Sequence, residues 1–430
     1  MRNILYTISM FFINMFYGIK FIFHKKQSYK YRISSYKAYF SFLYFGHMSQ
    51  MPSQQECRSF EGVTTDIKAL AFYLPQFHAI PENDEWWGKG FTEWTNVRAA
   101  SPRFPGHNQP RVPHPDIGYY DLSDPEALRR QAALAKRYGI HGFCFHHYWF
   151  SGRRLLEKPL DLLLENPDID LPFCLCWANE NWTRRWEGNN KDILMKQRYE
   201  DGDPERFIDE AQKYLCDPRY ITIEERPLIL IYNELEIPDS TNFFKKMKEH
   251  AVSIGTRPPL LYAVLRTEKQ NLHVGHIDGF VEFPPHRTAF SEKIPTRFEY
   301  NEGRLYDYNN TAEEFLSPTN RQEEFPLSVY KSAMLAWDNS ARKKKDWAVW
   351  LNFSHEAYYN WLKEIIAYTR RNFAQDQRFI FINAWNEWGE GTYLEPDAST
   401  GYTSLNTTSK ALFDLPFDEG KTDSQCPPSA

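Results

Sequence analysis

Apolar positions change rhythm along this chain near residue 67. From there onward, short apolar runs alternate with amphipathic stretches. The runs cover residues 67–77 (IKALAFYLPQF), 140–148 (IHGFCFHHY), 171–178 (LPFCLCWA), 227–233 (PLILIYN), 259–265 (PLLYAVL), 277–283 (IDGFVEF), 332–337 (SAMLAW) and 378–385 (RFIFINAW). They have the length of strands, and they are continuously apolar, as strands covered on both faces are. Between them a 3.6-residue period predicts helices over 124–138 behind a Ser123 cap, 155–166, 204–215, 242–254 and 355–372. Eight strands separated by helices predict an α/β protein with a single (β/α)8 TIM-like barrel, because an open doubly wound sheet usually has fewer strands.

Two connections are long. One, rich in Trp, Pro, Gly and Arg, follows strand one; the other, 284–326, follows strand six and shows no clear helical pattern. In a barrel, such elaborations sit mostly in the βα loops of the catalytic face. The catalytic domain is expected over 62–415, with a polar, disordered tail over 416–430.

The first 50 residues differ from the rest. Residues 4–23 form an almost unbroken apolar run, long enough to cross a bilayer, and Lys25, Lys26, Lys30 and Arg32 follow it. As an anchor, this segment would leave the remainder in the cytoplasm by the positive-inside bias. No small-residue cleavage site follows, which disfavours a signal peptide. The other reading is a dispensable extension, with Met48 or Met51 as the working start.

Net charge is −5 with both signs interspersed, so no basic patch points to nucleic acid. Aromatic residues make up 17% of the chain, including 13 Trp. Aromatics can be core, but Trp beside Asp, Glu, Asn and Arg also suits sugars, whose C–H faces stack on rings while their hydroxyls take polar partners. The six cysteines show no CxxC pair and read as reduced core thiols. Four N-x-S/T triplets, at Asn181, Asn309, Asn352 and Asn406, are common enough by chance to demand no secretory location.

Polar residues collect where the strands end, as function does in a barrel. Strand one exits through Tyr73, Gln76 and His78, then Glu93 and Trp94. Strand two ends in His146, His147 and Tyr148, and strand three in Trp177, Asn179, Glu180, Asn181, Trp182 and Arg184. Strand four gives Tyr232, strand six Glu282 and His286, strand seven Trp337 and Asp338, and strand eight Asn386, Glu387 and Glu390. Any one of these could be a cap or a structural hydrogen-bonding residue, but their gathering at one end is less easily accidental.

Strand one offers only His78 where a metal hydrolase needs H-x-H, and no glycine-rich loop follows any strand, so neither a metal nor a cofactor is expected. Paired carboxylates with sugar-type aromatics remain. Glycoside chemistry needs one group to protonate the leaving oxygen and a second to stabilise or generate the nucleophile. Glu387 and Glu390, at i and i+3, could both face one cavity, with Trp388 between them excluding water and raising one pKa. Alternatively, one of the two only holds an arginine such as Arg184.

The segments AFYLPQFHAIPENDEWWGKGFTEWTNV, HHYWFSG, CWANENWTRRW and NAWNEWGEGTYLEPD resemble the WbsX-type family, described as glycosyltransferases of polysaccharide biosynthesis and as glycoside hydrolase family 99-like domains. The resemblance covers 67–397 and implies the same barrel. More distant relatives, the family 99 endo-α-mannosidases, carry E-W-x-E on the last strand, which Glu387-Trp388-Gly389-Glu390 matches. The resemblance implies Glu387 as a base on the sugar 2-hydroxyl, whose oxygen attacks C1 to give an epoxide-like intermediate, and Glu390 as acid/base, with retention. This chain departs at Gly389, where the mannosidases are expected to carry His, so their substrate is not to be assumed for it.

The first expectation is therefore a retaining enzyme that cleaves or transfers a glycosidic bond in an oligosaccharide or polysaccharide. Its sugar subsites would be drawn from Tyr73, His78, Trp94, His146, His147, Trp177, Asn179, Glu180, Asn181, Trp182, Arg184, Tyr232, Glu282, Trp337, Asp338 and Asn386. The second is a glycosyltransferase of surface polysaccharide, disfavoured because the nearest D-x-D, Asp168 to Asp170, follows a helix at the opposite barrel end. The third is a non-catalytic glycan-binding barrel.

Overall fold

A computed structural model describes residues 55–60, 62–104, 106–183, 192–266, 275–286, 298–300, 302–317 and 325–417. The expected extension over 1–50 with its apolar segment, Arg184, and the tail from 418 onward lie outside the described residues. Among the described residues no helix is long and apolar enough to cross a membrane.

Nine strands form the wall: β1 (Lys68–Tyr73), β2 (Ile140–Phe150), β3 (Phe173–Trp177), β4 (Arg226–Ile231), β5 (Leu260–Leu265), β6 (Gly279–Glu282), β7 (Val329–Tyr330), β8 (Ser332–Met334) and β9 (Phe379–Asn383). Every neighbouring pair is parallel, in the order β7-β6-β5-β4-β3-β2-β1-β9-β8. The two ends of this path are one piece of chain interrupted at Lys331. Before the break it pairs with β6, and after it with β9, so the wall nearly closes on itself and the eight expected strands become nine.

Side chains complete the seam. Lys331 Nζ meets Glu282 Oε1 at 2.6 Å, Ser332 N donates to Glu282 Oε2 at 3.3 Å, and Phe381 N donates to the Lys331 carbonyl at 3.0 Å. A buried carboxylate is stable only when paired and hydrogen-bonded, and Glu282 finds both kinds of partner within the wall.

The nine helices among the described residues are α1 (Pro81–Trp87), α2 (Glu93–Ala99), α3 (Pro125–Arg137), α4 (Lys158–Glu165), α5 (Asp203–Leu215), α6 (Ser240–Ser253), α7 (Tyr308–Leu316), α8 (His355–Asn372) and α9 (Thr403–Leu412). Asp124, not Ser123, caps α3: its side chain accepts from Glu126 N, and Pro125 opens the helix.

The insertion after β6 is not helix-free. It contains α7 and a strand, Gly303–Asp307, that pairs in parallel with Trp347–Leu351. Gly303–Asp307 also pairs antiparallel with Phe298–Tyr300, but its parallel partner lies some 40 residues further along the chain, so that pairing leaves no short-range signal. The helix α9 (TSLNTTSKAL) is likewise absent from the sequence expectation, since its threonines and serines give it little apolar period; it is buried, and Ser409 Oγ donates to the Tyr138 carbonyl.

Much of the aromatic excess is core: Trp149, Trp177, Trp361, Trp385 and Trp388 are all fully buried. Cys144, Cys174 and Cys176 are buried free thiols as expected; Cys216 is free but exposed, and Cys57 is in a disulfide.

Candidate functional site

At the C-terminal end of the strands lies a cleft of about 840 Å³ lined by residues from the strand ends, the loop after β1 and the insertion strands. The two-residue period of a strand decides who reaches it. His146 and Tyr148 of β2 face the cleft, whereas His147 between them points outward, its ring edge-on to Phe207 and Tyr214 of α5. Burial pushes His147 down to about 3, so it sits neutral in the wall.

The last strand ends at Asn383, and the chain turns into a two-residue hairpin pairing Asn386–Glu387 with Thr392–Tyr393. Asn386 continues the β1 edge: its Oδ1 accepts from Leu74 N at 2.8 Å, and its Nδ2 donates to the Leu74 carbonyl at 3.0 Å. A 3-10 turn, Trp388–Glu390, follows, and Gly391 leaves it in the left-handed region at φ 63.

The turn sorts its side chains. Glu387 and Glu390 both line the cleft, while Trp388 goes the other way, stacked on Tyr393 at 3.8 Å and donating Nε1 to Glu395 Oε2 at 2.7 Å. Glu395 is buried and also accepts from Tyr120, Gln131 and Trp385, so one carboxylate pins both tryptophans of the motif.

Arg342 binds both cleft glutamates. Its Nη2 lies 2.7 Å from Glu387 Oε2, its Nη1 2.9 Å from Glu390 Oε1, and its Nε 2.7 Å from Glu93 Oε1. Burial raises Glu387 to about 7; the Arg342 charge opposes the rise, and the neighbouring Glu390 and Glu93 charges support it. His146 is also perturbed: burial disfavours its charged form, but the Cys176 sulfur and the two glutamates raise it above its ordinary value.

Rings and polar groups spread along the rest of the cleft. Trp87 and Trp182 are half-buried there, and Trp182 sits edge-on to Tyr148 at 5.1 Å. Arg266 pairs with Glu180 at 2.7 Å and lies over the Tyr232 ring, whose hydroxyl is 2.8 Å from His286 Nε2. Tyr306 and Trp350 stack at 4.3 Å across the paired strands Gly303–Asp307 and Trp347–Leu351. Among the described residues no group of three His, Cys, Asp or Glu side chains is arranged to hold a metal ion.

Of the residues singled out in the sequence, His146, Glu180, Asn181, Trp182, Tyr232, Trp337, Glu387 and Glu390 share this cleft. The remaining described ones do not line it. Tyr73 donates to Gln131 of α3, and His78 is buried outside the cleft. Trp94 donates to the Tyr120 carbonyl and packs against the back of Trp388. Trp177 donates to the Trp149 carbonyl, and Asn179 ties the end of β3 to Asn233. His147, Glu282 and Asn386 are engaged as described above.

Asp338 accepts from Gln109 Nε2, meets His107 at 2.7 Å and caps Ser340 N. Burial favours its neutral form, but His107 and Arg111 hold it down at about 2.

Arg342 was missed because it opens the run RKKK, which reads as a solvated charged face. Gln76, Tyr148, His286 and Glu93 did stand out at strand exits without being assigned to a subsite; Tyr306 and Trp350 carried no usable signal. At the opposite barrel end, Asp168 pairs with Arg129 and Asp170 with Lys136, far in topology from the cleft.

Residues 69–408 match the model of a family described as glycosyltransferase WbsX. The chain is 39% identical over 362 residues to an uncharacterized protein WxcX of Xanthomonas campestris pv. campestris, an alignment covering 82% of this chain and 50% of that protein. It thus spans about half the length of the curated relatives it matches. Among solved structures, a GH99 endo-alpha-mannosidase from Bacteroides thetaiotaomicron, in complex with bis-tris propane, superposes with a TM-score of 0.51 at 16% identity, covering 82% of this chain and 98% of that one. A glycoside hydrolase-like protein gives 0.53 at 12% identity, covering 84% and 98%. At these identities the likeness concerns the fold, and it is the barrel.

Proposed function

The chain belongs to the glycosyltransferase WbsX family, and from that membership we propose a carbohydrate-active enzyme that cleaves or transfers a glycosidic bond with retention. The observation that carries this reading is the pair Glu387 and Glu390, both on the cleft and both bound to one guanidinium. The domain that does this is 62–415.

Glu387 takes the proton of the sugar 2-hydroxyl. A carboxylate raised to about 7 is a stronger proton acceptor than an ordinary one and is still substantially ionised at neutral pH. The 2-oxygen then attacks C1 as the leaving oxygen takes a proton from Glu390. In the second step Glu390 removes a proton from an incoming hydroxyl, which opens the three-membered ring at C1, and Glu387 returns its proton to the 2-oxygen. Two inversions give net retention. The half-buried Trp182 and Trp87 offer ring faces to further sugar units.

Water as the incoming hydroxyl gives hydrolysis, and a sugar hydroxyl gives transfer. The family description, a glycosyltransferase, favours transfer as the second reading, here placed in the synthesis of a surface polysaccharide. Incubation with a panel of mannose- and rhamnose-containing glycans, with mass detection of products, tests both: shortened glycans mean hydrolysis and lengthened ones transfer. A requirement for nucleotide sugar and Mn²⁺ would point to a conventional transferase. Glu390→Gln should abolish turnover of an activated glycoside while leaving oligosaccharide binding nearly intact, and surviving activity removes Glu390 from the acid role.

A further inference from the structure

We propose that Arg342 is a positioning residue whose guanidinium fork sets the orientation of Glu387 and Glu390 together and the charge balance around Glu387, with Glu93 as the anchor that holds the fork. This rests on the reading that these two glutamates perform the chemistry.

Each guanidinium nitrogen engages a different carboxylate: Nε with Glu93, Nη2 with Glu387 and Nη1 with Glu390. The three carboxylates come from α2 and the last turn, and the arginine from the 3-10 turn after β8. That turn is itself bonded to the motif, since Asp338 N donates to the Glu390 carbonyl at 2.6 Å. A planar fork of fixed geometry holds these three acceptors in set directions; a lysine ammonium offers its three donors from a single point on a flexible stem. Gly389 completes the arrangement, because the space its side chain would occupy is filled by Glu93 and Arg342.

The groups around Glu387 act on it with opposite signs. Arg342 and His146 favour its ionised form, whereas Glu390 and Glu93 disfavour it, and Tyr148 of β2 packs nearby as a neutral phenol. Removing the charge of Arg342 and removing the charge of Glu93 must therefore move Glu387 in opposite directions. A merely structural role for either residue predicts no such opposition.

The test follows the Glu387 carboxyl by infrared difference spectroscopy over pH, assigned in each background by Glu387→Gln, alongside kcat and KM on any glycan the protein turns over. Arg342→Gln is expected to raise the Glu387 midpoint by about one pH unit or more and Glu93→Gln to lower it. Arg342→Lys, which keeps the charge and loses the fork, should leave the midpoint near that of the natural protein but reduce kcat roughly 100-fold with little change in KM. Midpoints that move together, or that stay fixed in variants whose melting curves show a folded protein, overturn the proposal. The infrared reading needs no turnover. Opposite shifts in a protein inert towards every glycan would sink the proposed function, and with it the catalytic role of the fork, while leaving its electrostatic hold on Glu387 intact; absent shifts in an active enzyme would overturn this inference alone.

Discussion

Gly389 and Glu93 share one volume: a Cβ on Gly389 would lie 1.8 Å from Glu93 Oε1 and 2.8 Å from Arg342 Nε. The position where the sequence departs from the mannosidase motif is thus filled from elsewhere in the chain. Gly389→Ala should displace Glu93, unseat Arg342 and cost about 1–3 kcal/mol, the usual penalty of overpacking. In a Glu93→Ala background the same substitution should cost much less, because the neighbour it strikes is gone. Equal costs in both backgrounds, measured by urea unfolding, would refute the shared volume.

The raised proton affinity of Glu387 predicts how activity depends on pH. As a base it must be ionised, so kcat/KM should fall as pH drops through about 7. Stability carries the opposite sign. A carboxyl raised in the folded state contributes stability that is fully present below its unfolded value and is lost as pH rises through the folded one. Glu387→Gln lacks this titration, so its stability relative to the natural protein should improve between about pH 4.5 and pH 7. A difference that stays constant over that window in urea melts would contradict the assignment.

His146 and His147 are neighbours in sequence with opposite destinations. His147→Phe replaces a neutral ring among aromatic neighbours and should leave turnover within about twofold, since it changes packing far more than polarity. His146→Ala removes a ring from the cleft and should lower kcat/KM roughly tenfold or more, the worth of one hydrogen bond to a ligand. Steady-state kinetics showing the reverse order would mean that the cleft has been placed on the wrong face of β2.

Glu395 gives a stability test away from the chemistry. Its carboxylate accepts from Trp385, Trp388, Tyr120 and Gln131, and Glu395→Ala would leave all four donors buried without an acceptor. Each such group costs about 1–3 kcal/mol, so calorimetry should show a melting temperature lowered by many degrees or no folded protein. A near-natural transition would mean that water or a local rearrangement replaces the carboxylate.

The sequence carried the barrel well because strand burial is a local property. A run such as FIFIN in β9 is apolar whichever neighbour it meets, and α8 follows its 3.6 period over the whole range His355–Asn372. The motif glutamates were also visible, since their spacing and their place at a strand exit lie within one short stretch. Burial that depends on a distant partner was less legible. Glu282 looks like a ligand at a strand end until Lys331 arrives from the break between β7 and β8. Asn386 looks like a sugar contact until the edge of β1 takes both ends of its amide.

The sequence by itself therefore determined the order of the main barrel strands and of five of the helices between them, the barrel class and the two glutamates that face the cleft. Tertiary structure decided which polar residues at the strand ends remain for a ligand, and it supplied Arg342, which is 249 residues from Glu93 and 45 from Glu387. The physical reason is range. Hydrophobic burial is encoded in patterns a few residues long, whereas the pairing of buried charges depends on distances in space that only long loops and the closed barrel can set.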